Sequence, residues 1–149
     1  MSREYPDRPI VGIGGVVWRG DRVLLIRRGK APRLGQWSLP GGGQNLGETL
    51  VEGLTREVRE ETGLEIEAVE LLAVVDLVDR DETGRVRYHY TLVDFMAEAL
   101  PGEPVPGDDA SEVAWFTQAE ATALGLWSET VRIIALAAEK RSLKQAGGR

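Results

Sequence analysis

The sequence predicts an α/β fold of the α+β kind, a mixed sheet with helices on both faces, and three observations carry that prediction. β-branched, Gly-punctuated runs recur along the chain, three segments open on helix-start signals, and the two kinds of segment interleave. With 149 residues the chain has the length of one ordinary domain and enough bulk to bury a core without staples. It is 42% hydrophobic and 28% charged, ordinary globular usage rather than the signature of disorder. No repeat, low-complexity tract or internal linker divides it. A single domain spanning 1–149 is expected.

Taken in order, Ile10 to Trp18 reads as a strand, turned at Arg19-Gly20-Asp21 into a returning strand over Arg22 to Arg28. Glycines inside the first strand suggest a bulge or a close backbone approach. Gly29 to Asn45 is Gly- and Pro-rich without helical period, so it is expected to be loop with at most a short strand around Trp37-Ser38-Leu39. The first helix opens on a capping box, Thr49 to Glu52, carries an apolar stripe at Leu50, Val51, Leu54 and Val58, and stops at Gly63. Leu64 to Val78 and Arg85 to Leu100 are strand-rich, joined by a polar turn at 79–84. Pro101 to Asp109 is a second loop, and Val113 to Phe116 a short strand. Thr117 and Glu120 form another capping box for a short helix. Ser128 is expected to cap the last helix, with Val131, Ile134, Ala135 and Ala138 facing inward and Trp127 packing against it. Lys140, Arg141 and Lys144 suit the negative pole of that helix. The tail over about 144–149 is expected to be disordered.

Charge and composition exclude several function classes. Lys plus Arg is 18 against 24 Asp plus Glu, a net charge of -6, which disfavours nucleic acid as a partner. Without any Cys, a disulfide framework, a thiolate zinc site and a cysteine nucleophile are all excluded. No apolar run approaches the roughly 18 residues of a membrane span, and no signal-peptide pattern opens the chain. A cytoplasmic location with no membrane partner is the expectation.

The first helix is rich in acids. At about 100° per residue, Glu57, Glu60 and Glu61 share one face, and Glu61 falls in line with Leu54 and Val58 near the buried edge. Like charges at that spacing destabilise a helix by roughly 0.2–0.5 kcal/mol per pair, and partial burial raises the cost. A divalent cation reverses the sign, because it takes carboxylate oxygens together with water and substrate phosphate. A solvated acidic face is the alternative for the helix alone. The preceding Pro40-Gly41-Gly42-Gly43 lets backbone approach a ligand with no Cβ in the way. It lacks the Lys-Ser/Thr of a phosphate-cradling P-loop. Gly12-Ile13-Gly14-Gly15 is no dinucleotide fingerprint either, since strand rather than helix follows it.

Loop and helix together spell GGQNLGETLVEGLTREVREETGL from Gly42 to Leu64. This string resembles the Nudix box, GX5EX7REUXEEXGU with U aliphatic, at Gly42, Glu48, Arg56, Glu57, Val58, Glu60, Glu61, Gly63 and Leu64. At average residue usage a chance match is on the order of one in ten million. Trp37-Ser38-Leu39-Pro40-Gly41 and Trp115-Phe116 resemble the family's entry to the box and its closing strand. Asn45 departs from it, standing where many members carry a Glu.

The resemblance implies a Nudix-like α/β/α sandwich with the box helix (residues 42–64 with its loop) packed on a mixed sheet. It implies a Mg²⁺-dependent hydrolase, Mn²⁺ substituting, that cleaves the pyrophosphate of a nucleoside diphosphate linked to another moiety. Glu57, Glu60 and Glu61 become catalytic metal ligands, the Gly41 carbonyl a further one, and Gly42 part of the substrate-binding loop. Arg56, off the acid face, orients Glu57 and the loop, and Glu48 is a structural partner of that loop or an outer metal ligand. Arg27 and Arg28 are candidate phosphate clamps, of which strand alternation turns only one inward. Trp37, Tyr88 and Tyr90 either stack on a base or pack the sheet, and His89 reads as structural. Asp109 and Glu112 are candidates for a general base or distal acid, the solvated loop being the alternative, and the loop could reach in from a partner subunit of a homodimer. The run from Pro106 to Phe116 looks like the ADP-ribose pyrophosphatase-like branch, which favours ADP-ribose or a related nucleotide sugar. A house-cleaning hydrolase of noncanonical (d)NTPs is the alternative, and a non-catalytic nucleotide sensor a third. The isomerases that share the fold use a Cys that this chain lacks.

Overall fold

The computed structural model describes residues 2–30, 33–107 and 109–147. Its elements are β1 (Ile10–Arg19), β2 (Arg22–Arg28), β3 (Trp37–Ser38), β4 (Gly41–Gly43), α1 (Leu50–Thr62), β5 (Ile66–Arg80), β6 (Val86–Ala99), β7 (Ala110–Thr117), α2 (Gln118–Thr122) and α3 (Ser128–Gly147). The strands form one mixed sheet. At its centre β1 runs parallel to β6, from Ile10↔Tyr90 to Trp18↔Glu98, and β5 pairs antiparallel along the far side of β6. Towards β2, however, β1 keeps only Trp18↔Val23 and Arg19↔Arg22 before the two strands diverge. A bent segment fills the gap: β3 pairs with β2, the chain crosses at Leu39-Pro40, and β4 pairs with β1 from Gly12↔Gly43 to Gly14↔Gly41. β7 pairs along the whole of β2.

Alternation along the strands sends side chains to two separate cores. Ile13, Val17, Leu24, Val93 and Phe95 face α1 and meet Leu54 and Val58. Val16, Trp18, Val23, Leu25 and Met96 face the opposite way and meet Ile133, Ile134 and Ala137 of α3 with Ala121 of α2. The β1–β6 pair is covered on both faces, as parallel strands require. α1 packs directly on the β1 backbone, since a Cβ at Gly15 would lie 2.8 Å from Leu54 Cδ1. The result is the expected α/β/α sandwich.

Several expectations are corrected. Gly41–Gly43, read as loop, is strand β4, because its own glycines let it lie against Gly12–Gly14. The turn after β5 shrinks as the hairpin ladder continues to Arg80↔Val86. There the Asp81 carboxylate accepts the Thr83 and Arg85 amides at 2.9 and 3.0 Å and closes the turn. Val51 is 45% exposed, so the buried stripe of α1 is Leu54, Val58 and Glu61. In α3 the buried face is Ile133, Ile134 and Ala137; Ala135 is exposed. Ser128 lies inside the first turn of α3 rather than capping it, because the Val131 amide bonds to the Trp127 carbonyl. Trp127 itself is 44% exposed. α3 also runs on to Gly147 through the stretch expected to be disordered, held by Lys144 to Glu70 at 2.7 Å; residues 148 and 149 lie outside the described ones. No helix among the described residues is long and apolar enough to cross a membrane.

Candidate active site

α1 is fixed at both ends. Thr49 Oγ1 accepts the Glu52 amide at 3.1 Å while Glu52 Oε1 accepts the Thr49 amide at 2.8 Å. At the other end Gly63 takes φ 74°, the left-handed conformation of a helix stop. With Leu54 and Val58 locked in the core, the wheel turns Glu61 towards the sheet edge where β4 passes. Glu61 is only 8% exposed, and its Oε1 accepts the Gly41 amide at 2.7 Å. Burial, with the Glu57 charge adding, pushes its pKa up to about 8 against the pull of Gly41 and Arg28. Glu57 approaches the same dipeptide: a Cβ at Gly42 would lie 2.5 Å from Glu57 Oε1, and one at Gly41 would run into the Ile13 carbonyl. The two glycines are therefore required for the acids and the β4 backbone to meet.

Arg56 organises the surrounding loop. Its Nε and Nη2 hold Glu48 in a two-point grip at 2.9 and 2.7 Å. Its Nη2 also donates to the Gly43 carbonyl at 3.0 Å, and Nη1 to Glu57 and Glu60 at 2.8 and 3.2 Å. Glu48 accepts the Asn45 amide as well, and the Arg56 guanidinium holds its pKa down at about 2. Arg56 is thus placed between Glu48, Glu57, Glu60 and the Gly43 carbonyl. Among the described residues no three His, Asp or Glu side chains form a ready-made cation cage, and the geometry explains why: Glu57 and Glu60 are turned to Arg56 while Glu61 is turned to Gly41. The donor set still suits a hard cation, since a buried carboxylate beside a second one has one arginine contact between them and the oxygens point at open backbone.

Around these acids the sequence candidates separate. Arg27 shares the face of Val23 and Leu25 and pairs with Glu112 across β2 and β7 at 3.0 Å, donating also to the Gly35 carbonyl. Arg28 follows Leu24 towards α1, and its charge acts on both Glu61 and Asp109. Asp109 pairs with Lys30 at 2.7 Å, which lowers its pKa, and its charge reaches Glu61. Asp108 lies outside the described residues. The loop before Asp109 folds onto its own α1, with the Val105 amide on Thr62 O and the Gly107 amide on Glu61 O at 2.9 and 3.1 Å. Trp37 stacks edge-to-face on Phe116, centroids 5.0 Å apart, in the α3-side core. Tyr90 lies beside Gly12, Tyr88 under Arg87, and His89 pairs opposite Val78 in the β5–β6 ladder.

Sequence reading missed Asp94. It is 8% exposed on β6, on the α3 side of the sheet, where a Cβ on Gly14 would meet its Oδ1 at 2.7 Å. The available signal was one acid inside the apolar run TLVDFMA, at a position where both faces of the strand are covered.

Comparison with known proteins places the chain in a family. The NUDIX domain model matches residues 8–137. A Methanocaldococcus jannaschii protein named ADP-ribose pyrophosphatase is 38% identical over 108 residues, 72% of this chain and 62% of that protein, so the chain spans less than two thirds of it. A Mycobacterium tuberculosis protein named, by inference, 8-oxo-dGTP diphosphatase 2 is 38% identical over 109 residues, 72% of this chain and 73% of that protein. The crystal structure of a MutT NUDIX hydrolase from Burkholderia pseudomallei superposes with TM-score 0.75 at 32% identity, covering 87% of this chain and 98% of the other. With its box intact and its acidic helix set against β4, the chain belongs to the Nudix family.

Proposed function

We propose that this protein hydrolyses the pyrophosphate bond of a nucleoside diphosphate linked to another moiety, with ADP-ribose or a related nucleotide sugar as the favoured substrate. The observation that carries the reading is the convergence of Glu57 and buried Glu61 on Gly41-Gly42, two carboxylates with no use for each other until a cation arrives. Glu57, Glu60 and Glu61, with the Gly41 carbonyl, are the residues that would hold Mg²⁺ or Mn²⁺. When bound, the ion supplies charge neutralisation and an activated water for in-line attack on phosphorus. The chain's own contribution is to place the acids, through Arg56 and the Gly41 amide, and to offer Arg28 and Lys30 as cations beside them for phosphate oxygens. Asp109 is the better candidate for general base, because its charge reaches Glu61; both acids are engaged by a cation, Asp109 by Lys30 and Glu112 by Arg27. The archaeal relative's name supports ADP-ribose. The mycobacterial relative's name supports a second reading, a house-cleaning hydrolase of noncanonical (d)NTPs. A cytoplasmic setting and a homodimer belong to the same proposal; for the dimer the support is an exposed apolar stripe, Leu71, Val74 and Val78, on edge strand β5.

Screening the full chain against ADP-ribose, other nucleotide sugars and (d)NTPs with Mg²⁺ tests the reading. Turnover is expected on at least one of them, abolished by excess chelator and restored by Mg²⁺ or Mn²⁺. Turnover that persists in chelator, with trace metal excluded, overturns it. On the best substrate, Asp109→Asn is expected to lower kcat about tenfold or more at little-changed KM, the pattern of a group acting in the transition state. Glu112→Gln is expected to leave kcat within about twofold, since its partner Arg27 lies on the other face. If both variants match wild type, Asp109 is removed from the chemistry and the base lies among Glu57, Glu60 and Glu61.

A further inference from the structure

The segment before β1 is latched to the β5–β6 turn. Tyr5 donates its amide to the Arg87 carbonyl at 2.7 Å and its hydroxyl to Asp81 at 2.9 Å. The Arg85 guanidinium lies over the Tyr5 ring, 4.3 Å from its centroid, and Glu4 pairs with Arg87 at 2.8 Å. Asp81, which already closes the turn, therefore serves this latch as well. The latch holds Tyr5 at φ 52°, a left-handed conformation that residues with a bulky side chain rarely adopt and that surrounding contacts must maintain.

What the latch delivers is Arg3. A Cβ at Gly43 would lie 3.0 Å from Arg3 Nη2, so the guanidinium rests directly on β4. Strand alternation puts it on the face opposite Glu57, which packs on Gly42. The Gly41 amide and the Gly43 carbonyl bond to Glu61 and Arg56, so the acids gather at the edge of β4 turned away from β1. Arg3 and Glu57 bracket that edge from its two sides. Asp109 completes the rim: after Lys30 and Arg28, the Arg3 charge also holds its pKa down, and its own charge acts on Glu61. Arg56 and Arg27 are engaged by acids. Arg3 is exposed, and among the described residues no hydrogen bond or ion pair holds it. Its planar fork of donors matches a phosphate group.

We infer that Arg3 is a substrate-binding residue, donating to a non-bridging phosphate oxygen of a diphosphate whose other side faces the acids, and that Tyr5 is the positioning residue that keeps it there. The inference rests on the nucleotide reading proposed above. A diphosphate laid along the open edge of β4 presents oxygens to both sides of the strand. A metal held by the acids can neutralise one side only, and Arg3 supplies the countercharge on the other.

The test is equilibrium binding of ADP to the full chain in excess Mg²⁺, alongside turnover of the best substrate. Arg3→Gln is expected to weaken ADP binding about fivefold, the scale of one hydrogen bond. KM should rise in step while kcat stays within about twofold, the pattern of a contact made equally in ground and transition state. Arg8→Gln removes the same charge from an exposed position of the same segment and should leave binding and KM within about twofold of wild type. Tyr5→Ala should reproduce the loss, because a released segment no longer presents the guanidinium. The double variant should then bind no worse than either single one within about twofold, since the two residues act as a unit. ADP binding undiminished in Arg3→Gln or in Tyr5→Ala, or an equal loss in Arg8→Gln, overturns the inference. No binding of ADP by the wild type overturns it too, whatever the hydrolysis screen returns. Hydrolysis with ADP binding indifferent to Arg3 sinks this inference alone, and Arg3-dependent binding without hydrolysis sinks the catalytic proposal alone. Thermal melting gives a separate readout: Arg3→Gln should leave Tm unchanged, and a fall in Tm would make Arg3 a structural residue and overturn its role in binding.

Discussion

Glu57→Gln and Glu61→Gln each lower kcat by at least about 10²-fold at saturating metal, the scale of losing a central electrostatic or acid-base group. The fold should survive both changes. Gln matches Glu in size and helix propensity, and at position 61 its side-chain oxygen can still accept the Gly41 amide that Glu61 accepts at 2.7 Å. Burial even favours the neutral side chain there, since a carboxyl whose pKa is pushed up to about 8 is already resisting ionisation. What the substitution removes is the charge that a cation needs. Circular dichroism and thermal melting should match wild type while turnover collapses. Near wild-type turnover in either variant would mean that the acids on this helix face are solvated surface, the alternative that helix spacing alone leaves open.

The fold was legible where local chemistry and packing agree. Both capping boxes hold, at Thr49 to Glu52 and Thr117 to Glu120, because each satisfies two orphan amides within four residues. The wheel put Glu61 beside Leu54 and Val58, and burial followed. Signals failed where a partner distant in sequence decides. Gly41–Gly43 has no strand propensity and becomes β4 only because Gly12–Gly14 offers a flat edge. β5 alternates poorly, since register shifts between Glu67 and Glu70 and between Leu71 and Ala73 move side chains from one face to the other. In the site, the choice between Arg27 and Arg28 was half visible: alternation said that one turns inward, and only the β2–β7 register shows Glu112 opposite Arg27. Asp94 was hidden for a different reason. A single acid in an apolar strand has no local meaning until the strands beside it and the helix above it are known.

Arg56→Met should unfold the loop–helix junction before it touches the chemistry directly. Arg56 is 22% exposed at the side chain, and its two closest acid partners, Glu48 and Glu57, are 15% and 13% exposed. Met fills the same volume and keeps the helix, but it leaves these acids and the Gly43 carbonyl without their donor. Removing one member of a shielded ion network is far more damaging than replacing the whole network by apolar groups. A fall in Tm of roughly 5–10 °C is expected for a domain of this size, together with a loss of kcat of about tenfold or more as Glu57 drifts from Gly42. Arg56→Lys separates charge from geometry. Lysine keeps the cation but cannot grip Glu48 at two points while reaching Gly43 and Glu57, so it should recover part of the Tm and little of the kcat. If Arg56→Lys restores full turnover, Arg56 acts as a counter-charge only, and the position of Glu57 must be set by the Gly41-Gly42 backbone alone.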